Sequence, residues 1–316
     1  MSNSMTNHIF GPVPSRRLGR SLGIDVVPAK TCSFDCIYCE SGPTTHLSAK
    51  RESFADPAEV LRQLDDFFRR FPDGTDVITF SSAGEPTLYL HLGELIAHIR
   101  RKYPTFPLIV LTNGSLLWDP AVRKDLLKAS RVVPSLDAVT PEIYRRINRP
   151  HPSLDLQRIR EGLKAFRRDY KGRLHLEIML AAGVNDSQEE LAGLAHAVED
   201  IRPDAIELNT VVRPPARSGT RGLSTEAMAR AASFFPREST QIIGAFNAPG
   251  PETDPDLLAD RILETIQRRP CTIPELAASL GVSENTLEIE SRKLEEDHWL
   301  ELRLFDGRWF LCPVHD

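Results

Sequence analysis

A chain of 316 residues, 41% apolar and 26% charged, has enough material for one large folded domain and a smaller one. Its net charge of −5 gives no support for indiscriminate nucleic-acid binding, and no apolar stretch reaches the length of a membrane span. The opening Met-Ser-Asn-Ser-Met-Thr-Asn lacks the basic and apolar regions of a secretion signal, and five cysteines, three of them clustered, fit a reducing cytoplasm rather than a disulfide scaffold.

Residues 11–23 carry Arg16, Arg17 and Arg20 ahead of the first strand. Guanidinium forks suit phosphate or carboxylate, although solvated surface arginines are the simpler reading. The first β-branched run, 23–27, leads into Thr-Cys-Ser-Phe-Asp-Cys-Ile-Tyr-Cys-Glu at 31–40, a C-x3-C-x2-C loop. Iron–sulfur cubanes are usually held by four Cys thiolates. Three ligands, Cys32, Cys36 and Cys39, would leave one iron with an open position, the logic that separates catalytic from structural metal sites. The alternatives are a structural zinc site or plain loop cysteines. Zinc needs a fourth ligand, normally from a second knuckle, and Cys271 and Cys312 stand isolated and distant in sequence.

Next comes a helix over 56–68, with Asp56 as N-cap and Pro57 at its first position. Further strand-like runs fall at 76–80, 108–112, 131–136, 174–180 and 205–212, separated by amphipathic stretches. Six strands with intervening helices predict an α/β fold with a parallel sheet, and the count suits a partial (β/α)6 TIM-type barrel. Chemistry in such barrels sits at the C-terminal strand ends. Here those ends carry the cysteine loop, then Gly84-Glu85-Pro86, Asn113, Ser135 with Asp137, Asn185-Asp186, and Arg213. Strand alternation puts Ser135 and Asp137 on one face, His175 with Glu177, and Glu207 with Asn209 and Arg213. Glu177, Asn209 and Arg213 are candidates for substrate contact, but polar residues satisfied by neighbouring backbone would look the same. His175 reads as a satisfied barrel histidine. The basic run 145–151 is either a helix end or a substrate-edge patch.

A Pro/Gly-rich stretch breaks the pattern, dividing the chain into a barrel over 1–246, a linker over 247–255 and a small domain over 256–316. The small domain reads as a helix to about 269, a second opened by the capping box Thr272-Ile-Pro-Glu275 and stopped at Gly281, and a third running from the N-cap Ser283 to about 297. Two strands follow, joined at Asp306-Gly307. This order resembles a winged-helix domain. From residue 256 onward 13 acids face 7 Lys/Arg, and the third helix is strongly acidic. Such a face repels phosphates, so protein or peptide contact fits it better than DNA.

The cysteine loop, with Tyr38 just before its last Cys, and Gly84-Glu85-Pro86 at the end of the second strand resemble the radical S-adenosylmethionine (SAM) enzymes over roughly residues 10–215. The resemblance implies that Cys32, Cys36 and Cys39 hold a 4Fe–4S cluster whose open iron is chelated by SAM. An electron from the cluster then cleaves SAM to methionine and a 5'-deoxyadenosyl radical. It implies that Gly84, Glu85 and Pro86 contact the SAM amino group, that Ser135 and Asp137 touch its ribose or carboxylate, and that Tyr38 lies against the adenine. Asn113 joins these as a candidate SAM contact. A reducing partner such as flavodoxin or ferredoxin is implied as well. Residues 10–24 look like a bacterial and archaeal branch grouped with wyosine-type tRNA-modifying enzymes, although the chain lacks the flavodoxin-like domain of the eukaryotic ones. With no second cysteine cluster, an auxiliary iron–sulfur centre is not expected.

The expected function is hydrogen abstraction from a substrate that is an RNA base, a peptide or a small metabolite. Alternatives are methyl or aminocarboxypropyl transfer from SAM, a peptide maturase whose small domain captures a leader, and a redox-sensing regulator in which the cluster gates the winged helix on DNA.

Overall fold

The computed structural model describes residues 7–15, 17–81, 83–243 and 257–314. In chain order its elements begin with β1 (Ile9–Ser15), β2 (Gly19–Ile24), β3 (Thr31–Cys32), β4 (His46–Leu47), α1 (Pro57–Arg70) and β5 (Val77–Phe80). Then come α2 (Leu92–Lys102), β6 (Leu108–Thr112), α3 (Pro120–Leu126), β7 (Arg131–Pro134), α4 (Pro141–Ile147), α5 (Leu156–Asp169) and β8 (Arg173–Leu180). The first unit closes with α6 (Gln188–Ile201), β9 (Ala205–Thr210), α7 (Thr225–Ala232) and β10 (Thr240–Ile242).

The main sheet has the order β1-β2-β5-β6-β7-β8-β9-β10. From β2 to β10 every neighbouring pair is parallel, while β1 pairs antiparallel with β2. The six predicted strands are β2 and β5 to β9, and the sheet matches the expected α/β partial barrel. Two edge strands went unpredicted. β1 contains Pro12 and Pro14, which speak against a central strand and are tolerated at an edge, where β1 lies. β10 has only three residues. The first predicted strand, 23–27, also begins earlier, at Gly19.

Alternation sorts the two faces of this sheet. Ile78 and Phe80, Leu108 and Val110, Leu174, Leu176 and Ile178, and Ile206 and Leu208 point to the helices and join one large buried cluster. The opposite residues Val77, Ile109 and Val133, with Leu18, form a separate apolar floor inside the barrel. Above that floor the inward positions turn polar: the Ser21 and Thr79 hydroxyls meet at 2.6 Å, and Glu177, Glu207 and Asn209 follow on β8 and β9. Caps fix the helix starts. Asp56, Asp119, Asp155 and Ser187 each accept a hydrogen bond from a first-turn backbone N–H.

Beyond residue 256 come α8 (Leu258–Arg268), α9 (Ile273–Leu280), α10 (Glu284–Glu296) and the hairpin β11 (Leu300–Phe305) with β12 (Arg308–Pro313). The capping box of Thr272 and Glu275 is formed, and Gly281 ends α9 at φ 66°. Asp306 and Gly307 both take positive φ at the hairpin turn. This unit has its own core around Ile262, Ile266, Leu276, Leu280, Leu287 and Leu311. It docks on the barrel through the Ser41 hydroxyl, which donates to the Arg268 carbonyl at 2.6 Å, and through Arg308, which donates to the Val212 carbonyl at 3.2 Å. The predicted linker 247–255 and Arg16 lie outside the described residues.

The helix layer sits very close to the loop after β6. A Cβ on Gly162 of α5 would lie 2.4 Å from the Trp118 backbone nitrogen. In Gly162→Ala, overpacking against rigid backbone costs about 1–3 kcal/mol, against about 1 kcal/mol gained in helix propensity. The clash should win, and the thermal midpoint of the variant should fall; an unchanged or raised midpoint would contradict this packing.

Candidate active site

The cysteine loop leaves β2 and is held in place by backbone. β3 pairs with β4, and the Lys30 carbonyl accepts from the N–H groups of Thr45 and His46. Inside the loop, Ile37 N–H donates to the Ile147 carbonyl at 2.9 Å, and Asp35 N–H reaches the carbonyls of Asn148 and Arg149. The Asp35 carboxylate accepts from Thr44 N–H at 2.9 Å, from Arg149 Nε at 3.0 Å and from Arg217 Nη2 at 2.7 Å. Against the opposing effect of burial, the Thr44 N–H and the two guanidiniums hold its pKa below the usual carboxylate range.

Cys32, Cys36 and Cys39 are free thiols, partly exposed on this loop. Burial pushes all three upward, Cys32 to about 12, and nearby carboxylates add to it. A single ion requires every ligand close to one point. Among the described residues no three His, Cys, Asp or Glu side chains are grouped to hold one. A cubane takes each thiolate on a different iron. Nearby donors also suit bound thiolate: the Asn113 and Asn148 amides each lie 3.6 Å from a sulfur, Cys32 and Cys36 respectively. Lys30 adds a cation. Its ammonium is buried without a hydrogen-bond partner, and burial lowers its pKa against the opposing pull of Cys39 and Cys32. An anionic cluster on the three sulfurs is the counter-charge this lysine lacks, so the residues fit the group.

Gly84 passes so close to the loop that a Cβ there would lie 2.1 Å from the Thr31 carbonyl oxygen. Glu85 follows, 1% exposed, with its backbone N–H donating to that same carbonyl. The Glu85 carboxylate accepts from Thr87 N–H and hydroxyl, from the Thr112 hydroxyl at 2.6 Å and from Asn113 N–H at 2.7 Å. The carboxylate predicted for the SAM amino group thus serves four of the protein's own donors and ties the ends of β5 and β6 together. Pro86 is buried at the start of a short 3-10 turn.

Asp137 is equally committed. Its carboxylate accepts from the Tyr38 hydroxyl at 2.5 Å, from the Asn148 amide at 2.7 Å and from Met179 N–H at 2.9 Å. Burial nevertheless pushes it up to about 6. Ser135 bridges to Glu177 and lines a small cleft with Asn113, Asp137 and Asn148. The structure therefore gathers Tyr38, Asn113, Ser135 and Asp137 around the cysteine loop.

The three predicted substrate residues separate into two groups. Glu177 accepts from Asn209 at 3.1 Å and from Arg17 at 3.1 Å inside the barrel. Arg17 also binds Glu207, whose other oxygen lies 2.7 Å from His175 Nδ1. Arg17 is thus an interior ion-pair residue, correcting the reading of this run as solvated; Arg20, by contrast, is a surface partner of Asp76. Arg213 lies past the end of β9, 3% exposed, 3.2 Å from Glu40 and 3.5 Å from Glu275 of α9. The basic run 145–151 lines a second surface groove with Tyr144 and Arg160. Sequence reasoning missed Lys30 and Glu40 and named Arg17 and Asn148 only within basic runs, because their roles depend on packing across the barrel mouth. Only Glu40, directly after Cys39, carried a positional hint.

A sheet open at its C-terminal rim, with a three-cysteine loop leaving the first parallel strand, defines a class. The Radical SAM superfamily sequence profile matches residues 26–195, more than half of the chain, and the protein belongs to that superfamily of enzymes, whose members use a 4Fe–4S cluster and SAM. More particularly it belongs with the UPF0026 proteins: it is 32% identical over 310 residues to one from Methanocaldococcus jannaschii, covering 95% of this chain and 94% of that one. It is also 34% identical over 308 residues to a Brachyspira hyodysenteriae protein named GTPase Obg, covering 97% of this chain but only 45% of that relative. Streptococcus suis SuiB, solved with SAM bound, shares the fold at a TM-score of 0.52 and 14% identity, over 71% of this chain and 52% of that one.

Because Gly84 touches backbone, Gly84→Ala must displace Thr31 and the loop behind it. After anaerobic reconstitution the variant should retain less than about half the iron and sulfide of the parent; equal retention would show that the close approach does not set the loop.

Proposed function

We propose that the protein is a radical SAM enzyme in which Cys32, Cys36 and Cys39 hold a 4Fe–4S cluster and SAM is cleaved reductively to start hydrogen abstraction from a substrate in the barrel. When bound, cluster and SAM supply a 5'-deoxyadenosyl radical; the protein binds, orients and excludes water. The observation that carries this reading is the buried, unpartnered Lys30 ammonium beside three partly exposed thiols on one braced loop.

Around that loop the residues take distinct tasks. Asn113 and Asn148 orient sulfur through their amides, and Glu85 keeps the rims of β5 and β6 in register. With its carboxylate occupied, the turn 84–86 would meet the SAM amino group through backbone carbonyls. Asp137 holds Tyr38 in place and, with Ser135 and Asn113, forms the wall on which ribose and adenine would rest. Asn209 and Arg213 line the cavity at the barrel rim, and Glu177 accepts from Asn209; these three would meet the substrate.

The C-terminal unit reads as a winged-helix domain used as a cover. Glu284, Glu288, Glu296 and Asp297 of α10 or its cap are exposed, which opposes DNA docking. Its contacts with Ser41, Val212 and Arg213 instead seat it against the barrel rim. No helix among the described residues is long and apolar enough to cross a membrane; a cytoplasmic setting with a flavodoxin- or ferredoxin-type reductant completes the reading.

The test is anaerobic. Reconstituted protein given dithionite and SAM should form 5'-deoxyadenosine, and Cys36→Ala should abolish it. Full formation in Cys36→Ala would sink the assignment, while S-adenosylhomocysteine or methylthioadenosine as product would move it to methyl or aminocarboxypropyl transfer.

A further inference from the structure

Between the barrel rim and α8 lies a cavity of about 300 Å³, at the small end of the range for ligand sites. Its apolar walls include Phe10, Leu18 and Leu111. Among the described residues its charge is one-sided: Arg17, Arg213, Arg268 and Arg269 line it, with Glu40 as the acid. Arg17 is balanced by Glu177 and Glu207, and Arg213 by Glu40 and Glu275.

Arg268 is less well served. Its guanidinium stacks 3.9 Å from the Phe10 ring centre, its Nη1 donates to the Glu264 carbonyl at 2.7 Å, and among the described residues its carboxylate partner is Asp25 at 3.8 Å. That separation exceeds a hydrogen bond. Moreover, the Nε–H groups of both Arg213 and Arg268 are buried without a partner. An unmet donor on a charged group costs more than one on a neutral group. The two arginines that carry them, one from the barrel and one from the C-terminal unit, line the same cavity. A planar fork is the donor geometry that oxyanions satisfy best.

We propose that this cavity receives the oxyanion, a phosphate or carboxylate, of a small metabolite substrate, gripped between Arg213 of the barrel and Arg268 of α8. The inference rests on the radical SAM reading for the identity of the reaction, but not for binding. The C-terminal unit then has a defined part: it supplies half of the anion clamp, and the substrate is enclosed only when α8 is seated. The cavity volume suits a small molecule and leaves no space for a nucleic-acid helix.

The test is calorimetric titration of inorganic phosphate, and separately of succinate, into the anaerobically reconstituted full chain with saturating SAM at physiological ionic strength. One saturable site is expected for at least one probe, and which probe binds decides between phosphate and carboxylate. Arg268→Met and Arg213→Lys should each weaken that binding about tenfold, the equivalent of about 1.4 kcal/mol. Arg303→Gln, on the exposed hairpin, should leave it unchanged. Absence of saturable binding in the parent chain, or its abolition by SAM, would overturn the proposal. So would equal weakening by Arg303→Gln, or parent-like affinity in either cavity variant. A variant that fails to fold leaves the parent titration and the other variant to decide. Deoxyadenosine formation is measured separately, so the enzymatic reading and the anion site can fail independently.

Discussion

Glu85 is the constraint on which the rest of the site depends. A carboxylate at 1% exposure is costly unless its oxygens are filled. Here four donors fill them, from the turn after β5 and from the end of β6. Its backbone N–H also holds the Thr31 carbonyl, one residue before Cys32. One residue therefore sets the spacing of two strand ends and the height of the cysteine loop above them. The preceding position must be glycine because the same carbonyl occupies the space a side chain would need.

A second buried carboxylate repeats the device across the barrel. Asp137 joins the loop through Tyr38, the segment after α4 through Asn148, and β8 through Met179 N–H. The two carboxylates brace opposite sides of the loop that carries the thiols, leaving its sulfurs partly open. Near that opening Lys30 carries an ammonium buried without a hydrogen-bond partner. Together they describe a rim preorganised for an anionic group that is charged, held and approached from above.

The C-terminal unit extends the same electrostatic logic. Arg213 binds both Glu40, next to Cys39, and Glu275, the capping-box acid of α9. The capping residue of one small helix is thereby connected to the cysteine loop through a single buried guanidinium. Arg268 approaches the cavity from α8, where the barrel alone would leave an open mouth. Neither arginine can be exchanged for lysine without losing the fork that spans two partners.

Much of this was legible along the chain because it follows from local chemistry. Period-two apolar runs gave six parallel strands, Asp56 and the Thr272–Glu275 box gave helix starts, Asp306-Gly307 gave the hairpin, and three spaced cysteines gave the loop. Edge strands escaped because Pro12 and Pro14 mask β1 and because three residues are too few to show a period in β10. What only the tertiary structure decided was the use of each polar side chain. Arg17 reads as surface in sequence but pairs with Glu177 and Glu207, 160 and 190 residues away. Lys30, Asn148 and Arg268 carry no motif, and their meaning comes from burial beside particular groups. Spacing in sequence fixes which side chains share a face; only folding fixes which charges lose their water, and that loss gives them a function.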